Sequence, residues 1–352
     1  MDDRAQKPLR IVEVAPPWFD VPPDGYGGIE SMLASLTEAL VARGHDVVLI
    51  GAGSDRTPAT FRSTYEEPPS SRLGTPEPEV VHAAAVARHL DELEYDIVHD
   101  HSLAGPLTGV GRAAPTVVTV HGPVTGELAT LYDQLGGSAH LVALSHAQRR
   151  TAPRLNWAGT VPNALDAADY PFCRDKDDYL VFLGRMSPDK GAHLAIEAAR
   201  ASGRRILLAG KCTEPAEQEY FAAEVEPLLG ADAEFLGVAD ATRKKELLAG
   251  AQALVFPIQW EEPFGMVMIE AMACGTPVVA LRRGAVPEVV VDGTTGYIRD
   301  DPADLPAAIS AIAEISPDDC RRHVAENFSI DIMTGGYERI YRDLLAARSW
   351  SH

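Results

Sequence analysis

The stretch Trp260-Glu-Glu-Pro-Phe-Gly-Met-Val-Met-Ile-Glu-Ala-Met-Ala-Cys-Gly-Thr-Pro277 decides how this chain folds. An apolar run from Ala253 to Ile258 precedes it and predicts a buried strand. Pro263 disfavours helical backbone angles at the residue before it, Glu262. Glu262 is therefore expected in the loop that follows the strand.

The second half of this stretch has the pattern of a helix that leads into another strand. The helical pattern begins at about Gly265, and Gly275 followed by Pro277 ends it. The apolar residues from Pro277 to Leu281 predict the next strand. The stretch is therefore one strand–helix–strand unit with a glycine where the helix begins.

A helix that begins with a glycine is suited to bind phosphate. The first amides of a helix, here those of Met266 and Val267, have no acceptor within the helix and carry partial positive charge. Gly265 allows a ligand to approach the backbone closely. Glu270 lies roughly 7–8 Å further along the axis, where it could accept hydrogen bonds from sugar hydroxyls. An ordinary crossover with surface glutamates would give the same spacing.

The segment Glu262-Pro-Phe-Gly-Met-Val-Met-Ile-Glu270 resembles the Glu-x7-Glu signature of retaining glycosyltransferases, specifically the large family 4 (glycosyl transferases group 1). Residues 271–279 continue the family pattern without a gap. The resemblance implies an α/β protein of the GT-B fold, in which two Rossmann-like domains with parallel sheets face each other across a cleft. It also implies that Glu262 is catalytic and orients sugar hydroxyls, and that the donor-binding residues of this segment are Glu262, Phe264, Gly265, Met266, Val267 and Glu270.

Length and composition agree with a two-domain enzyme of this kind. The chain has 352 residues, 46% of them hydrophobic, and a net charge of −20. This acidity gives no basic face for nucleic acid. No apolar stretch approaches 18 residues, so no transmembrane segment is expected, and the N-terminus does not have the pattern of a signal peptide. Four widely separated cysteines indicate reduced thiols and a cytoplasmic protein.

The N-terminal part predicts the first unit of a Rossmann-like sheet. A strand at Leu9 to Ala15 leads through a proline-rich loop to the turn Gly25-Tyr-Gly-Gly28, and a helix over Ile29 to Arg43 follows. A second strand follows at His45 to Ala52. The Gly-x-Gly-x-x-Gly fingerprint is missing, which argues against a dinucleotide oxidoreductase.

The resemblance gives this turn a role in donor binding. It implies that Gly27 and Gly28 let the N-terminal domain approach the diphosphate of the donor, and that Tyr26 lies on the acceptor side. A tight strand-to-helix turn would need only one glycine. The segment from Thr57 to Pro78 is rich in Pro, Ser, Thr and Glu and predicts a surface loop.

The next two predicted strands each end at histidines. A short strand at Asp96 to His99 ends in His-Asp-His, and the next, at Pro115 to Val120, ends at His121. Alternate strand residues face opposite ways, so His99 and His101 share a side without Asp100, and we expect no metal there. The resemblance places His101 near the substrate on the acceptor side and His121 close to the transferred sugar as a catalytic residue. A purely structural histidine is the alternative.

The second domain is predicted to begin after an irregular linker. The predicted boundaries are 1–166 for the first domain, 167–178 for the linker and 179–330 for the second, and 331–352 for a terminal helix that crosses back onto the first domain. A strand at Tyr179 to Leu183 opens the second domain, and Arg185 and Lys190 follow it. By resemblance these two cations bind the donor diphosphate and assist its departure; surface salt bridges are the alternative. An amphipathic helix is expected from Asp304 to Ile315.

These features together predict a retaining glycosyltransferase that moves a sugar from a nucleotide diphosphate sugar to an acceptor hydroxyl. A UDP-sugar is favoured as co-substrate, and neither a cofactor nor a metal is expected. The resemblance favours front-face attack, in which the departing diphosphate takes the acceptor's proton. Two short segments, Val21 to Ile29 and Val98 to Ser102, resemble a branch with antibiotic-tailoring members and favour a soluble oligosaccharide or natural-product acceptor.

Two other functions remain open at this stage. A sugar-nucleotide epimerase of the same fold would turn over donor without acceptor. A noncatalytic protein would bind the nucleotide sugar without hydrolysing or transferring it. The sequence does not indicate the sugar, the linkage or the oligomeric state.

Overall fold

A computed structural model describes residues 7–24 and 27–349 of this chain. It consists of two sheets whose strands are all parallel, flanked by helices, which confirms the predicted α/β class. The strands are β1 (Arg10–Val14), β2 (Asp46–Ala52), β3 (Thr60–Tyr65), β4 (Ile97–Asp100), β5 (Thr116–Thr119), β6 (His140–Ala143), β7 (Trp157–Thr160), β8 (Leu180–Leu183), β9 (Ile206–Ala209), β10 (Ala233–Phe235), β11 (Leu254–Phe256), β12 (Val278–Leu281) and β13 (Gly296–Arg299).

In the described chain, α-helices connect nine of the twelve pairs of successive strands. They are α1 (Gly28–Ala42), α2 (Pro76–Asp91), α3 (Gly126–Leu135), α4 (His146–Thr151), α5 (Ala192–Ala201), α6 (Pro215–Tyr220, continued by a π-helical turn over Phe221–Val225), α7 (Ala241–Gly250), α8 (Met266–Ala273), α9 (Val286–Val289), α10 (Leu305–Ser310), α11 (Pro317–Asn327) and α12 (Ile330–Ser349). Within the described residues, none of these helices has the length and apolar character that crossing a membrane requires.

The chain divides into two compact units. The first contains the described residues up to Asn163 together with the chain from Ile330 onward, and the second runs from Ala164 to Ser329. The segment predicted as a linker, 167–178, lies in the second unit. There Lys176 Nζ donates hydrogen bonds to the carbonyls of Ala249 and Cys274 and to the hydroxyl of Thr276.

Both sheets have a topological switch point. The first sheet has the order β3-β2-β1-β4-β5-β6-β7 and the second β10-β9-β8-β11-β12-β13. In the first sheet the chain proceeds outward from β1 in one direction and then returns to β4 on the other side of β1. The second sheet does the same around β8 and β11. Open α/β sheets bind ligands at the carboxyl ends of the two strands that flank such a point.

Apolar strand residues form the core of each unit. The strands β8, β9 and β12 are buried along their whole length, as expected of parallel strands covered by helices on both faces. Glu13, in the middle of β1, is an exception because its carboxylate is buried within the first sheet. It pairs in register with His99 of β4.

Some predicted elements differ from the structure. The predicted loop over Thr57 to Pro78 contains β3, an edge strand with a half-exposed, polar sequence that lacks the apolar run of a buried strand. The predicted helix from Asp304 to Ile315 is interrupted: α10 ends at Ser310, and short 3-10 turns flank it. The sequence analysis did not identify β7, α3 or α11.

The terminal helix α12 belongs to the first unit and packs against α1 and β7. Arg43, just after α1, forms ion pairs with Asp331 and Glu338 of α12. His45 Nε2 lies 2.7 Å from Glu338 Oε1. A Cβ at Gly159 of β7 would lie 2.7 Å from Ile340 Cδ1, so the missing side chain allows α12 to lie close to the sheet.

Candidate functional site

In the second unit, the predicted donor-binding residues lie in the two loops at the switch point. The β8–α5 loop carries Arg185 and Lys190, and the β11–α8 loop carries Glu262 and Gly265. Because β8 and β11 are neighbours, their carboxyl ends bring these two loops together. The sheet order therefore joins residues that lie some 70 positions apart in the sequence.

An ion pair links the two loops directly. Lys190 Nζ lies 2.5 Å from Glu262 Oε2 and 5.0 Å from the centre of the Trp260 ring. The side chains of Lys190 and Glu262 are only 18% and 12% exposed. The lysine is thus held between a carboxylate and an aromatic face, both of which favour a cation.

Arg185 lies in the same loop and is more loosely held. Its guanidinium is 3.9 Å from Asp189 and 3.6 Å from Glu217, and its side chain is 42% exposed. One polar atom in each of the two loops, Ser187 Oγ and Trp260 Nε1, is buried without a hydrogen-bond partner among the described residues. Such unsatisfied atoms are uncommon in native proteins.

The start of α8 has the geometry expected of a phosphate-binding helix. Gly265 caps the helix in a left-handed conformation, with φ of 81°. Met266 and Val267 form the first turn and are part-exposed. The side chain of Phe264, by contrast, is buried, and its ring lies 5.8 Å from that of Phe328, so its donor-binding role would have to use the backbone.

Glu270 is buried further along α8. Its Oε1 accepts a hydrogen bond from Lys244 Nζ at 2.7 Å and a longer one from the Tyr170 hydroxyl at 3.4 Å. The sequence analysis did not identify Lys244. Both contacts use Oε1, which leaves the second oxygen of Glu270 as an acceptor.

In the first unit, the glycine turn lies at the start of α1. Gly27 caps the helix with φ of 146°, and a Cβ there would lie within 3.0 Å of Pro23 and Glu30. Among the described residues, a Cβ at Gly28 would meet nothing within 4 Å. Burial raises the pKa of Glu30 to about 7, although a backbone hydrogen bond acts in the opposite direction. Tyr26 lies outside the described residues.

A buried network of histidines lies at the switch point of the first sheet. The carboxylate of Glu13 lies 3.2 Å from His99 Nδ1 and 3.2 Å from His101 Nε2. The rings of His99 and His101 are 4.1 Å apart, as expected for two side chains on one side of a strand. His101 Nδ1 lies 2.9 Å from His121 Nε2, so the network joins two predicted site residues to Glu13.

Burial and charge shift the pKa values in this network in opposite directions. Burial would raise the pKa of Glu13, but the charge of His99 and hydrogen bonds from His101 and His99 outweigh it and lower this pKa to about 2. Burial, together with the charge of His99, lowers the pKa of His101 to about 4. Burial and the charges of His101 and His99 lower the pKa of His121 well below its usual value. At neutral pH the carboxylate is therefore charged, and His101 and His121 are neutral.

The terminal helix contributes two buried tyrosines to the same network. The Tyr341 hydroxyl lies 2.7 Å from His99 Nδ1 and 3.2 Å from Glu13 Oε1. The Tyr337 hydroxyl lies 2.9 Å from Thr119 Oγ1, which in turn lies 2.8 Å from His99 Nε2. The polar centre of the first unit is thus completed by residues more than 200 positions away in the sequence.

Glu13, His99 and His101 also form a group that could hold a metal ion, because one ligand atom from each lies within 4.8 Å of the others. The sequence analysis did not consider this group, because Glu13 comes from a different strand. Each of the three residues also has a hydrogen-bond partner within the network.

Several residues at these sites were missed by the sequence analysis: Glu13, Trp260, Lys244, Tyr337 and Tyr341. Glu13 had a signal, since a glutamate within the apolar run Arg10–Val14 is unusual in a buried parallel strand. The others had none, because their contacts depend on how distant segments pack.

Comparison with known proteins identifies both units. The model of "Glycosyltransferase Family 4" matches residues 26–168, and that of "Glycosyl transferases group 1" matches residues 171–329. Together the two matches cover most of the chain.

Individual proteins are similar over nearly the whole length. Glycogen synthase of Mycobacterium tuberculosis H37Rv is 28% identical, with 87% of this chain and 86% of that protein covered. Phosphatidyl-myo-inositol mannosyltransferase of Mycolicibacterium smegmatis is 28% identical, with 87% and 85% covered. The crystal structure of AviGT4, a glycosyltransferase involved in avilamycin A biosynthesis, has a TM-score of 0.75 and 28% identity and covers 96% of this chain and 98% of its own. With two parallel-sheet units and a match to a family model in each, the chain belongs to the family 4 and group 1 glycosyltransferases of the GT-B fold.

Proposed function

We propose that this glycosyltransferase moves a sugar from a nucleotide diphosphate sugar, preferably a UDP-sugar, to an acceptor hydroxyl with retention at the anomeric carbon. The observation that carries the proposal is the pairing of Lys190 with Glu262 beside the start of α8, at the switch point of the second sheet. Cations and helix-start amides bind a diphosphate, and a nearby carboxylate accepts hydrogen bonds from sugar hydroxyls.

Each residue of the second unit then has a role. Lys190 and Arg185, with the amides of Met266 and Val267, offset the negative charge that develops on the departing diphosphate. Glu262 orients sugar hydroxyls, and Glu270 binds the nucleotide ribose through the oxygen that Lys244 does not occupy. The Lys190–Glu262 contact fixes both groups before substrate binds, which reduces the entropy lost on binding.

For the first unit, we propose that Gly27 and Gly28 at the start of α1 bind the donor diphosphate and that His121 is a catalytic residue for the transferred sugar. Retention by front-face attack requires no protein nucleophile, because the departing diphosphate takes the proton of the acceptor hydroxyl. The bond from the anomeric carbon to the diphosphate breaks as the bond to the acceptor oxygen forms. We propose that this step needs no metal ion.

For the acceptor, we propose a soluble oligosaccharide or a natural product. The net charge of −20 disfavours binding to an anionic lipid surface. The likeness to AviGT4 supports an acceptor from natural-product biosynthesis. The relatives that act in glycogen synthesis and on phosphatidyl-myo-inositol define the other acceptor classes to be tested.

Thermal-shift measurements against UDP, GDP, TDP and ADP, and against the corresponding sugar nucleotides, test the donor site. We expect UDP to raise the melting temperature of the wild type and to have little effect on Lys190→Ala. Arg200→Ala is the matched control, because Arg200 pairs with Asp232 at 2.7 Å on the surface of the same unit. If UDP raises the melting temperature of Lys190→Ala as much as that of the wild type, the proposed site is wrong.

A further inference from the structure

We infer that Glu13, acting through His101, fixes His121 in the tautomer that carries its proton on Nε2, so that Nδ1 of His121 is a hydrogen-bond acceptor toward a substrate hydroxyl. This inference deepens the proposed function, since it rests on His121 lying next to the transferred sugar. Glu13 and His101 are positioning residues in this scheme, and neither needs to contact substrate.

The inference begins with a continuous line of hydrogen bonds. Glu13 Oε2 lies 3.2 Å from His101 Nε2, and His101 Nδ1 lies 2.9 Å from His121 Nε2. Glu13 and His101 are almost completely buried, so water does not compete for these bonds. His121 is part-exposed, so the line runs from the core of the first unit to its surface.

The direction of each hydrogen bond in this line follows from the carboxylate of Glu13, at which the line begins. An ionised carboxylate has no proton and can only accept, so His101 must donate from Nε2 to Glu13. A neutral imidazole has a proton on one nitrogen only, so His101 Nδ1 is then an acceptor. His121 must therefore donate from Nε2, and its Nδ1 has a free lone pair.

The pKa values agree with this assignment. The lowered pKa of Glu13 keeps the carboxylate charged, and the lowered pKa values of His101 and His121 keep both rings neutral. A doubly protonated His121 would place its Nε2 proton against the same acceptor but would lose the lone pair on Nδ1. The network thus keeps His121 in a form that accepts a hydrogen bond.

Tyr341 gives a control inside the same network. Its hydroxyl is 3.2 Å from Glu13 Oε1 and 2.7 Å from His99 Nδ1, on the branch that does not lead to His121. Tyr341→Phe removes a buried hydrogen bond to Glu13 while it leaves the carboxylate and the His101–His121 contact in place. Any general weakening of the network therefore affects this variant as well as Glu13→Gln.

The test is long-range proton–nitrogen NMR of the full-length, 15N-labelled protein, with the His121 signals assigned by their loss in His121→Ala. We expect Nε2 of wild-type His121 to be protonated and Nδ1 to be unprotonated. In Glu13→Gln the side-chain amide can donate as well as accept, so both tautomers of His121 should be populated. Tyr341→Phe should keep the wild-type tautomer.

Two spectra would overturn the inference. One is a wild-type His121 protonated on Nδ1, a result that does not depend on whether Glu13→Gln or Tyr341→Phe folds. The other is a folded Glu13→Gln in which His121 keeps a single tautomer protonated on Nε2. Neither measurement requires the sugar donor or the acceptor substrate.

Transferase assays separate this inference from the proposed function. We expect Glu13→Gln to lower kcat about tenfold, the typical effect of one lost hydrogen bond, while Tyr341→Phe changes it less than twofold. If Glu13→Gln and Tyr341→Phe lower kcat equally, the relay does not position His121, and the inference is wrong. If His121→Ala transfers sugar at the wild-type rate while the spectra agree with the expected tautomers, the relay exists but the proposed role of His121 fails.

Discussion

The polar centres of the two units differ in how their charges are held, although both lie at the switch point of a parallel sheet. In the first unit, Glu13 and its histidine partners are buried and hydrogen-bond to one another. In the second unit, Lys190 and Arg185 keep part of their side chains exposed and pair with carboxylates from their own or a neighbouring loop. The same strand order thus supports a fixed, internally satisfied network and a set of part-exposed ion pairs that a ligand can reach.

This difference has a physical basis. A buried hydrogen-bonded carboxylate loses several kcal/mol if one partner is removed, so the network around Glu13 cannot rearrange at low cost. An exposed ion pair contributes roughly 0–1 kcal/mol, so the part-exposed Arg185 can exchange Asp189 for a diphosphate, whereas Lys190 stays paired with Glu262 and has further protons to donate. The first centre is suited to orient a group, and the second is suited to bind and release a charged ligand.

The largest effect is expected from Glu262→Gln, which tests whether the second centre depends on charge. The amide keeps the shape of the side chain but loses the negative charge that pairs with Lys190. We expect kcat/KM for the donor to fall about 10²-fold, the usual cost of losing one preorganised group. Glu261→Gln is the neighbouring control, because its amide oxygen can still accept from the Gly284 amide; equal losses in both variants would argue against a specific role of Glu262.

Glu30→Gln tests the cost of burying charge in the first unit. Because the pKa of the buried Glu30 is raised to about 7, the folded wild type binds a proton more tightly than the unfolded chain, and it loses stability as the pH rises from about 4.5 through 7. The variant should be more stable than the wild type by about 3 kcal/mol at pH 8.5, with the difference vanishing near pH 4.5.

The measurement is the free energy of unfolding across this pH range. Glu38→Gln on the exposed face of the same helix is the control and should show no such trend. A stability difference that does not change with pH would mean that Glu30 is not buried as a neutral acid.

Gly284→Ala tests how the second centre is supported by its backbone. Gly284 has φ of 51°, and a Cβ there would lie 2.2 Å from the carbonyl oxygen of Glu262. Alanine at either glycine introduces conformational strain of about 1–2 kcal/mol. Gly293 has φ of 77°, and a Cβ there would meet no described atom within 4 Å, so Gly293→Ala is a control for this strain alone. We expect the donor KM to rise about tenfold in Gly284→Ala alone, because only there must the Glu262 loop move.

The smallest effect is expected from chelation, which tests whether the buried group of Glu13, His99 and His101 acts without metal. Prolonged dialysis against EDTA should change the transfer rate less than twofold, and elemental analysis of the purified protein should find no stoichiometric transition metal. A loss of activity that zinc restores would show that these residues bind a functional metal, and the two centres would then differ in metal content as well as in burial.

Much of the second centre could be predicted from one continuous stretch of sequence. Glu262, Gly265 and Glu270 lie within nine residues, and a strand, a tight turn and a helix fix their spacing whatever the rest of the chain does. Arg185 and Lys190 were predicted to lie in a loop after a strand, and the resemblance gave them their role. Local backbone geometry accounts for the placement of these residues, and the resemblance accounts for their proposed roles.

The first centre was predicted only in part. His101 and His121 were proposed from their position at strand ends together with the family resemblance, but Glu13, which joins them, was not. The edge strand β3 was missed for a related reason, since its polar sequence pairs with β2 on one side only and lacks the pattern of a buried strand. Contacts between separate strands are decided by sheet order, which spacing along the chain does not report.

The sequence by itself indicated the α/β class and the helix start at Gly265, because periodicity and local turn chemistry act over a few residues, and the resemblance of its Glu262–Glu270 segment indicated the glycosyltransferase family. Only the tertiary structure decided that Lys190 pairs with Glu262 and that Glu13 joins His101. It also decided that α12 completes the polar centre of the first unit through Tyr337 and Tyr341. These contacts join residues about 70 to more than 300 positions apart, and they form only when burial of the apolar strands and helices brings those segments together.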